Sequence, residues 1–155
     1  MKNVAIIVAG GRGRRMGRAK QFLELAGKPM LEWALSAFQA ANKIDGIILV
    51  VGNENMARAM KLKYSKLICV VPGGAERVDS VRRGLKKLPG STRIVLVHDG
   101  ARPAVTTRLI DASIAAAKKF GAAVVAVPVK DTIKMVKEGG MVDRTLRRKE
   151  LWAAQ

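Results

Sequence analysis

The stretch NVAIIVAGGRGRRMGRAKQ, residues 3–21, joins a run of small and branched apolar residues to a loop rich in glycine and arginine. An apolar run such as that from Asn3 to Ala9 is typical of a strand buried on both faces of a parallel sheet. Beyond the loop, Pro29 suits the first turn of a helix that extends to about Asn42. The stretch therefore predicts a strand, a glycine loop and a helix, the opening of an α/β fold.

The same alternation continues along the chain. Strands are expected at 46–52, 67–72, 93–99 and 122–129, and helices at 53–64, at 76–88 and from Thr106 or Thr107 to Gly121. In the helix at 76–88, the apolar side chains at helical spacing are Val78, Val81 and Leu85. This order predicts a single α/β domain over 1–155 with a doubly wound, mostly parallel, Rossmann-like sheet. Residues 129–148, around a Gly-Gly turn, predict a protruding β-hairpin arm that packs on a second subunit.

Composition narrows the classes of function. The chain has 29 Lys and Arg against 12 Asp and Glu, a net charge of +17, which attracts polyanions in general. Two Trp, one Tyr and three Phe are too few stacking platforms for a nucleic-acid binder, so no specific nucleic acid is expected. The sequence contains no run of 18 apolar residues, so we expect no membrane span. The single cysteine, Cys69, lies in an apolar run, so we expect no disulfide and a cytoplasmic, reducing location.

The loop after the first strand has the composition of a phosphate site. Gly10, Gly11 and Gly13 allow backbone amides to approach an anion, and the nearby Arg15 and Lys20 supply positive charge. A Walker A loop would need Gly-Lys-Ser/Thr, and a dinucleotide fingerprint would need glycine where Met16 stands. The remaining pattern, Gly-x-Gly-x-Arg-Met with a lysine four residues later, resembles that of nucleotidyltransferases. Arg15 and Lys20 are the candidates for stabilising charge during attack on an α-phosphorus.

Four further motifs carry a more specific resemblance. They are GGAERVDSVRRGL at 73–85, VHDGARP at 97–103, PVKDTIK at 128–134 and RTLRRKELWAAQ at 144–155. In this order they resemble the 2-C-methyl-D-erythritol 4-phosphate cytidylyltransferase family. The resemblance implies a homodimer joined by the arm, Mg²⁺ as cofactor, and transfer of CMP from CTP to the polyol phosphate with release of pyrophosphate. Two alternatives stay open: a ribitol-5-phosphate cytidylyltransferase, and a truncated, inactive nucleotide-binding domain.

The resemblance also implies roles for individual residues. Those that would bind the nucleotide are Ala9, Gly10, Gly11, Gly13, Gly74, Ser80, Asp99 and Ala101, of which Gly74 and Ser80 read the cytosine and Asp99 holds Mg²⁺. Arg102 would bind the polyol phosphate, together with Thr132 and Arg148 from the partner's arm. His98 is expected to be structural, because a phosphate nucleophile is already ionised and needs no general base.

The sequence departs from the family pattern at Ala19, Ala75 and Gly100 and at the end of the chain, and the last two departures bear most on the site. Gly100 stands where alanine is usual, and we expect it to loosen its loop. The sequence ends at Gln155, where members of the family continue with a segment that supplies a second metal-binding Asp and a Lys. The resemblance therefore predicts a truncated chain with an incomplete site.

Overall fold

The computed structural model describes residues 3–11 and 19–155. Its helices are α1 (Met30–Ala40), α2 (Met56–Ala59), α3 (Arg77–Leu85) and α4 (Thr107–Phe120). Its strands are β1 (Asn3–Ala9), β2 (Glu24–Leu25), β3 (Lys28–Pro29), β4 (Gly46–Val51), β5 (Leu67–Pro72), β6 (Ile94–Asp99), β7 (Ala126–Pro128), β8 (Lys134–Val136), β9 (Val142–Thr145) and β10 (Trp152–Ala154).

A four-stranded parallel sheet in the order β5-β4-β1-β6 forms the centre of the fold. The strand β1 pairs with β4 on one side and with β6 on the other, so that Val8 lies between Val50 and Asp99. Its position in the middle of the sheet explains why its sequence is apolar on both faces. The parallel α/β sheet expected from the sequence is confirmed.

The two faces of the sheet are buried differently. On one face, alternate residues of β1 and β4 pack against α1 and α4 in a core that includes Leu31, Leu35, Phe38, Ile110 and Ile114. On the other face, Val4, Ile6, Ile48, Val50 and Val71 form a smaller cluster. The helix α3 lies on this second face, where Gly84 meets Ile6 and Val50. Helices on both faces make the sheet doubly wound, as expected.

The face that α3 buries is not the face predicted from its apolar residues. Val78 and Leu85 are 48% and 43% exposed, whereas Ser80 and Gly84 are buried. A Cβ on Gly84 would lie 2.6 Å from Ile6 Cγ2, so the helix backbone approaches the sheet too closely for a larger residue. Small residues, rather than the apolar stripe, therefore decide how α3 packs.

Of two further helices, one differs in extent from the sequence prediction and one agrees with it. The helix expected at 53–64 is reduced to a 3₁₀ turn, Asn53–Asn55, followed by the four residues of α2, and the chain then turns so that Leu62 and Tyr64 pack against the first core. The helix α4 agrees with prediction: the Thr106 hydroxyl accepts the Leu109 N–H at its start, and Gly121 ends it with φ 85°.

The C-terminal part of the chain leaves the central sheet. The strand expected at 122–129 is reduced to β7, which pairs antiparallel with β10 instead of joining the parallel strands. The strands β8 and β9 form the predicted hairpin, and its turn contains Gly139 and Gly140 at positive φ. Among the helices that the structure describes, none has the length and apolar character needed to cross a bilayer.

Candidate functional site

The loops that follow β1 and β5 meet at the carboxyl edge of the central sheet. A Cβ on Gly10 would lie 3.4 Å from Ser80 Oγ and 3.5 Å from Gly73 Cα. Because the strands are parallel, their carboxyl ends share one edge, where open α/β sheets bind ligands. The backbones of Gly10 and Gly73 are therefore in contact at the edge of the sheet where a ligand is expected.

Ser80 connects the loop after β5 to the helix α3. Its buried hydroxyl accepts the Gly74 N–H at 3.0 Å and donates to the Glu76 carbonyl at 3.2 Å. Arg83, one turn further along α3, donates to the Gly73 carbonyl at 2.9 Å. These bonds fix the glycine pair against the helix, and a hydroxyl oxygen with two lone pairs keeps one for a ligand.

Gln21 holds the first loop, a role that the sequence analysis did not assign. Its side chain is 4% exposed, and Nε2 donates to the Ala9 carbonyl at 2.7 Å and to the Gly11 carbonyl at 3.0 Å. A buried glutamine that bonds to the backbone on both sides of Gly10 fixes the path of the loop as it leaves β1. The signal in the sequence was a polar residue directly after the basic loop.

Asp99, at the carboxyl end of β6, is bound by two arginines. Arg77 Nε, from the first residue of α3, lies 2.8 Å from Asp99 Oδ1, and Arg102 Nε lies 3.3 Å from Oδ2. Arg102 also donates to Gln155 Oε1 at 3.0 Å. The Arg77 contact was not predicted, although Arg77 lies within one of the quoted motifs.

His98 supports the loop that carries Arg102. Its Nε2 lies 3.1 Å from the Arg102 carbonyl, and its ring packs against Phe38 with centroids 5.2 Å apart. Burial lowers the pKa of the His98 ring below its usual value, against the opposing effects of the Arg102 carbonyl and the Asp99 charge. The neutral ring donates to that carbonyl through Nε2–H, in agreement with the expected structural role.

The residues present fit a magnesium ion only in part. Mg²⁺ commonly takes one or two protein carboxylates and completes its shell with water and substrate phosphates. Within the described residues, no group of three or more His, Cys, Asp or Glu side chains could hold a metal ion. Asp99 supplies one carboxylate of the right kind, and both of its oxygens bond to arginine in this structure.

The structure describes most of the predicted site residues, and they form three spatial groups: one at the two glycine loops, one at the end of β6, and one on or beside the arm. Ala9, Gly10, Gly11, Gly74 and Ser80 lie around the junction of the two glycine loops, and Asp99, Ala101 and Arg102 lie at the end of β6. Lys20 is exposed and begins a 3₁₀ turn, Lys20–Phe22. Gly13 and Arg15 lie outside the described residues.

The third group, Thr132 and Arg148, lies on or beside the arm. Both residues are exposed, and Arg148 begins a 3₁₀ turn, Arg148–Glu150. In the part of the chain that the structure describes, no hydrogen bond or ion pair joins either side chain to Asp99 or Arg102. The structure therefore does not bring this group together with the strand-end residues within one chain.

Comparison with known proteins gives a consistent picture. The family model for 2-C-methyl-D-erythritol 4-phosphate cytidylyltransferase matches residues 3–155. The enzyme of that name from Pelotomaculum thermopropionicum is 46% identical over 161 residues, covering 99% of this chain and 68% of its own length. The one from Desulforamulus reducens is 45% identical over 159 residues, again with 68% of its length covered.

Solved structures agree with the sequence comparison. The crystal structure of 4-diphosphocytidyl-2C-methyl-D-erythritol synthase from Anaerococcus prevotii superposes with a TM-score of 0.87 at 30% identity, covering 99% of this chain and 68% of that one. The 2-C-methyl-D-erythritol 4-phosphate cytidylyltransferase of Thermus thermophilus gives a TM-score of 0.74 at 34% identity, covering 100% and 68%. On its sequence, its fold and the arrangement of its strand ends, the chain belongs to the 2-C-methyl-D-erythritol 4-phosphate cytidylyltransferase family.

Proposed function

We propose that this protein transfers CMP from CTP to 2-C-methyl-D-erythritol 4-phosphate and releases pyrophosphate. The observation that carries the proposal is the meeting of the Gly10 loop with Ser80 and Gly73 at the sheet edge, in a chain of this family. An oxygen of the polyol phosphate attacks the α-phosphorus of CTP, a new P–O bond forms, and the bond to the departing pyrophosphate breaks. The ribitol-phosphate alternative is not favoured by the relatives found.

The geometry around Ser80 supports a preference for cytosine over uracil. The Ser80 proton is engaged by the Glu76 carbonyl, and the Gly74 N–H is engaged by Ser80, so both residues present lone pairs to a base. The cytosine amino group donates to such lone pairs, whereas the uracil carbonyl at the same position has no proton to give. UTP binding would leave buried acceptors unpaired, which lowers affinity for the wrong base.

Cations in the glycine loop supply the electrostatic part of catalysis. Lys20 and Arg15 stabilise the charge that develops on the α-phosphoryl oxygens and on pyrophosphate. Arg102, held by Asp99 and Gln155, binds the polyol phosphate. Asp99 is the residue that would hold Mg²⁺, which when bound neutralises charge on the triphosphate oxygens.

Assembly completes the proposed site. The arm formed by β8 and β9 joins two subunits, and Thr132 and Arg148 reach the partner's Arg102 region. Exposed apolar side chains on the arm, among them Val136 at 57% and Met141 at 71%, support this use as an interface. The homodimer and its shared site are part of the same proposal.

Pyrophosphate release by the purified chain tests the function. With Mg²⁺, CTP and the methylerythritol phosphate, release should depend on the polyol and exceed that with ATP, GTP or UTP.

Arg15→Ala and Lys20→Ala should each slow turnover by on the order of 10²-fold or more, because each removes charge stabilisation made in the transition state. Lys61→Ala, at an exposed lysine just beyond α2, is the control. Unchanged turnover in Arg15→Ala, or faster turnover with ribitol 5-phosphate, contradicts the proposal.

A further inference from the structure

Arg77 is bonded to the carboxylate that would hold a cation in the proposed function. The distance from Arg77 Nε to Asp99 Oδ1 is 2.8 Å, shorter than the 3.3 Å from Arg102 Nε to Oδ2. An arginine N–H bonded to a carboxylate oxygen takes one of the two lone pairs of that oxygen, and its positive charge repels a divalent cation at the other. Cation binding at Oδ1 is therefore weakened while the Arg77 guanidinium stays in place.

The two arginines differ in how firmly they are held. Arg102 bonds to Asp99 and to Gln155, and its carbonyl bonds to His98. The Arg77 side chain is 61% exposed, and Asp99 is its hydrogen-bonding partner within the described residues. Half-exposed ion pairs of this kind are weak, so a stronger anion can draw Arg77 away. Arg77 is the member of the pair that can move.

A nucleotide triphosphate is such an anion. Arg77 begins α3, the helix whose Ser80 bonds to the glycine loop proposed to read the base, so the base of a bound nucleotide would lie at this end of the helix. The phosphates of the same nucleotide would then lie within the length of one nucleotide from Arg77, whose long, exposed side chain can turn toward them. A triphosphate carries several negative charges against the single charge of Asp99, and guanidinium groups bind phosphate oxygens well. Movement of Arg77 to the phosphates would free Asp99 Oδ1 for the cation.

We propose that Arg77 is a positioning residue that lowers the affinity of Asp99 for divalent cations until a nucleotide binds. The inference rests on the proposed function for the identity of the nucleotide. It implies that cation and CTP bind cooperatively, each raising the affinity of the other by the same factor. In the free protein, the cation alone binds weakly because the Arg77 charge beside Asp99 repels it.

Direct binding measurements test this coupling. Mn²⁺ binding is followed by electron paramagnetic resonance, with and without CTP and with no polyol phosphate present, so that no turnover occurs. In Arg77→Met, we expect Mn²⁺ alone to bind about fivefold more tightly or better, and the coupling with CTP to shrink by a similar factor, within the range usual for such couplings. Arg77→Lys, which keeps a cation at the helix start, should recover most of the coupling.

Arg82→Met is the matched control. Arg82 lies on the same helix and pairs with Asp79 at 3.7 Å, so its removal changes the net charge equally without touching Asp99. Circular dichroism checks that all the variants are folded. Equal or weaker Mn²⁺ affinity in Arg77→Met, or an equal gain in Arg82→Met, overturns the proposal. Because Mn²⁺ binding needs no catalysis, a failed turnover assay refutes the reaction alone, and an unchanged Mn²⁺ titration refutes the Arg77 role alone.

Discussion

At the scale of single residues, the Ser80 hydroxyl combines an observed structural hydrogen bond with a proposed role in binding the base. Removing it in Ser80→Ala leaves the half-buried Gly74 N–H without its acceptor, which should lower the free energy of unfolding by about 1 kcal/mol. If Ser80 reads the base as proposed, the KM for CTP should also rise, because the lone pair that would accept the cytosine amino proton is lost. Urea denaturation and steady-state kinetics measure the two effects.

The control for Ser80 is Ser113→Ala on α4. The Ser113 hydroxyl donates to the Leu109 carbonyl at 2.8 Å within its own helix, and its loss should leave the KM for CTP unchanged. An unaltered KM in Ser80→Ala would show that this hydroxyl does not read the base.

His98 makes stability depend on pH in a defined direction. Its pKa in the folded protein lies below the value of 6.5 expected for the unfolded chain, chiefly because the ring is buried. Below pH 6.5 the unfolded chain therefore binds a proton that the folded protein does not, and the free energy of unfolding falls as the pH drops toward the folded pKa. The stabilising contribution of the neutral ring is fully present above pH 6.5.

Replacing His98 by glutamine isolates this effect. Gln keeps an N–H donor for the Arg102 carbonyl but does not titrate, and His98 is the only histidine of the chain. Guanidinium denaturation at several pH values between 7 and 5 should show a smaller loss of stability in His98→Gln than in the unaltered protein. Parallel curves for the two proteins would refute a lowered His98 pKa.

At the scale of elements, the fit of α3 against the sheet depends on Gly84. An alanine Cβ there would lie 2.6 Å from Ile6 Cγ2 and 3.3 Å from Val50 Cγ2, both buried in the second core cluster. Gly84→Ala should therefore destabilise the protein by about 1–3 kcal/mol through overpacking, despite the better helix propensity of alanine. Thermal and chemical denaturation provide the measurement.

Gly90→Ala serves as the comparison for Gly84. A Cβ on Gly90 meets no heavy atom within 4 Å, so this substitution should change stability by a few tenths of a kcal/mol at most. If Gly84→Ala were equally neutral, α3 would have room to move away from the sheet.

The elements show where sequence patterns predict structure well and where they do not. The strand β1 and the helix α4 were predicted closely, because uniform apolarity in one case and an N-cap with a terminal glycine in the other are local signals. The buried face of α3 was not predicted correctly. Val78 and Leu85 suggested that an apolar stripe faces the sheet, whereas the helix buries the side that carries Gly84, where it packs closely on the sheet. The sequence also led us to expect that Gly100 loosens its loop. Gly100 is buried, and a Cβ there would lie 3.0 Å from Ala9 Cβ, so close packing surrounds this glycine.

The candidate site likewise contains residues that the sequence identifies and residues that only the structure identifies. The glycine loops and Asp99 could be placed at one edge of the sheet, because the loops follow strands, Asp99 ends a strand, and strand ends converge in a parallel sheet. Gln21, Arg77 and Arg83 could not, because their contacts join segments far apart in sequence, and a polar residue in a basic chain carries no sign of its partner. Local chemistry is readable from the sequence, whereas pairing across the fold requires the structure.

At the scale of the whole molecule, the proposed dimer makes a quantitative prediction. Each site would combine Lys20 from one subunit with Arg148 from the arm of the other. Lys20→Ala and Arg148→Ala should each be nearly inactive alone, because each homodimer lacks one component at both sites. In a mixed dimer, one site carries both substitutions and the other carries none.

Co-expression of the two variants with different tags tests this arrangement. If subunits combine at random, half of the dimers are mixed and each has one intact site of two, so activity should recover to about a quarter of that of the unaltered protein. Tandem purification of the mixed dimer should raise the recovery to about half, by the same count of intact sites. A site built within one subunit would leave every site of the mixture defective, and activity would stay at the level of the separate variants. The recovered fraction therefore measures whether the arm, in addition to joining the subunits, carries Arg148 into the site of its partner.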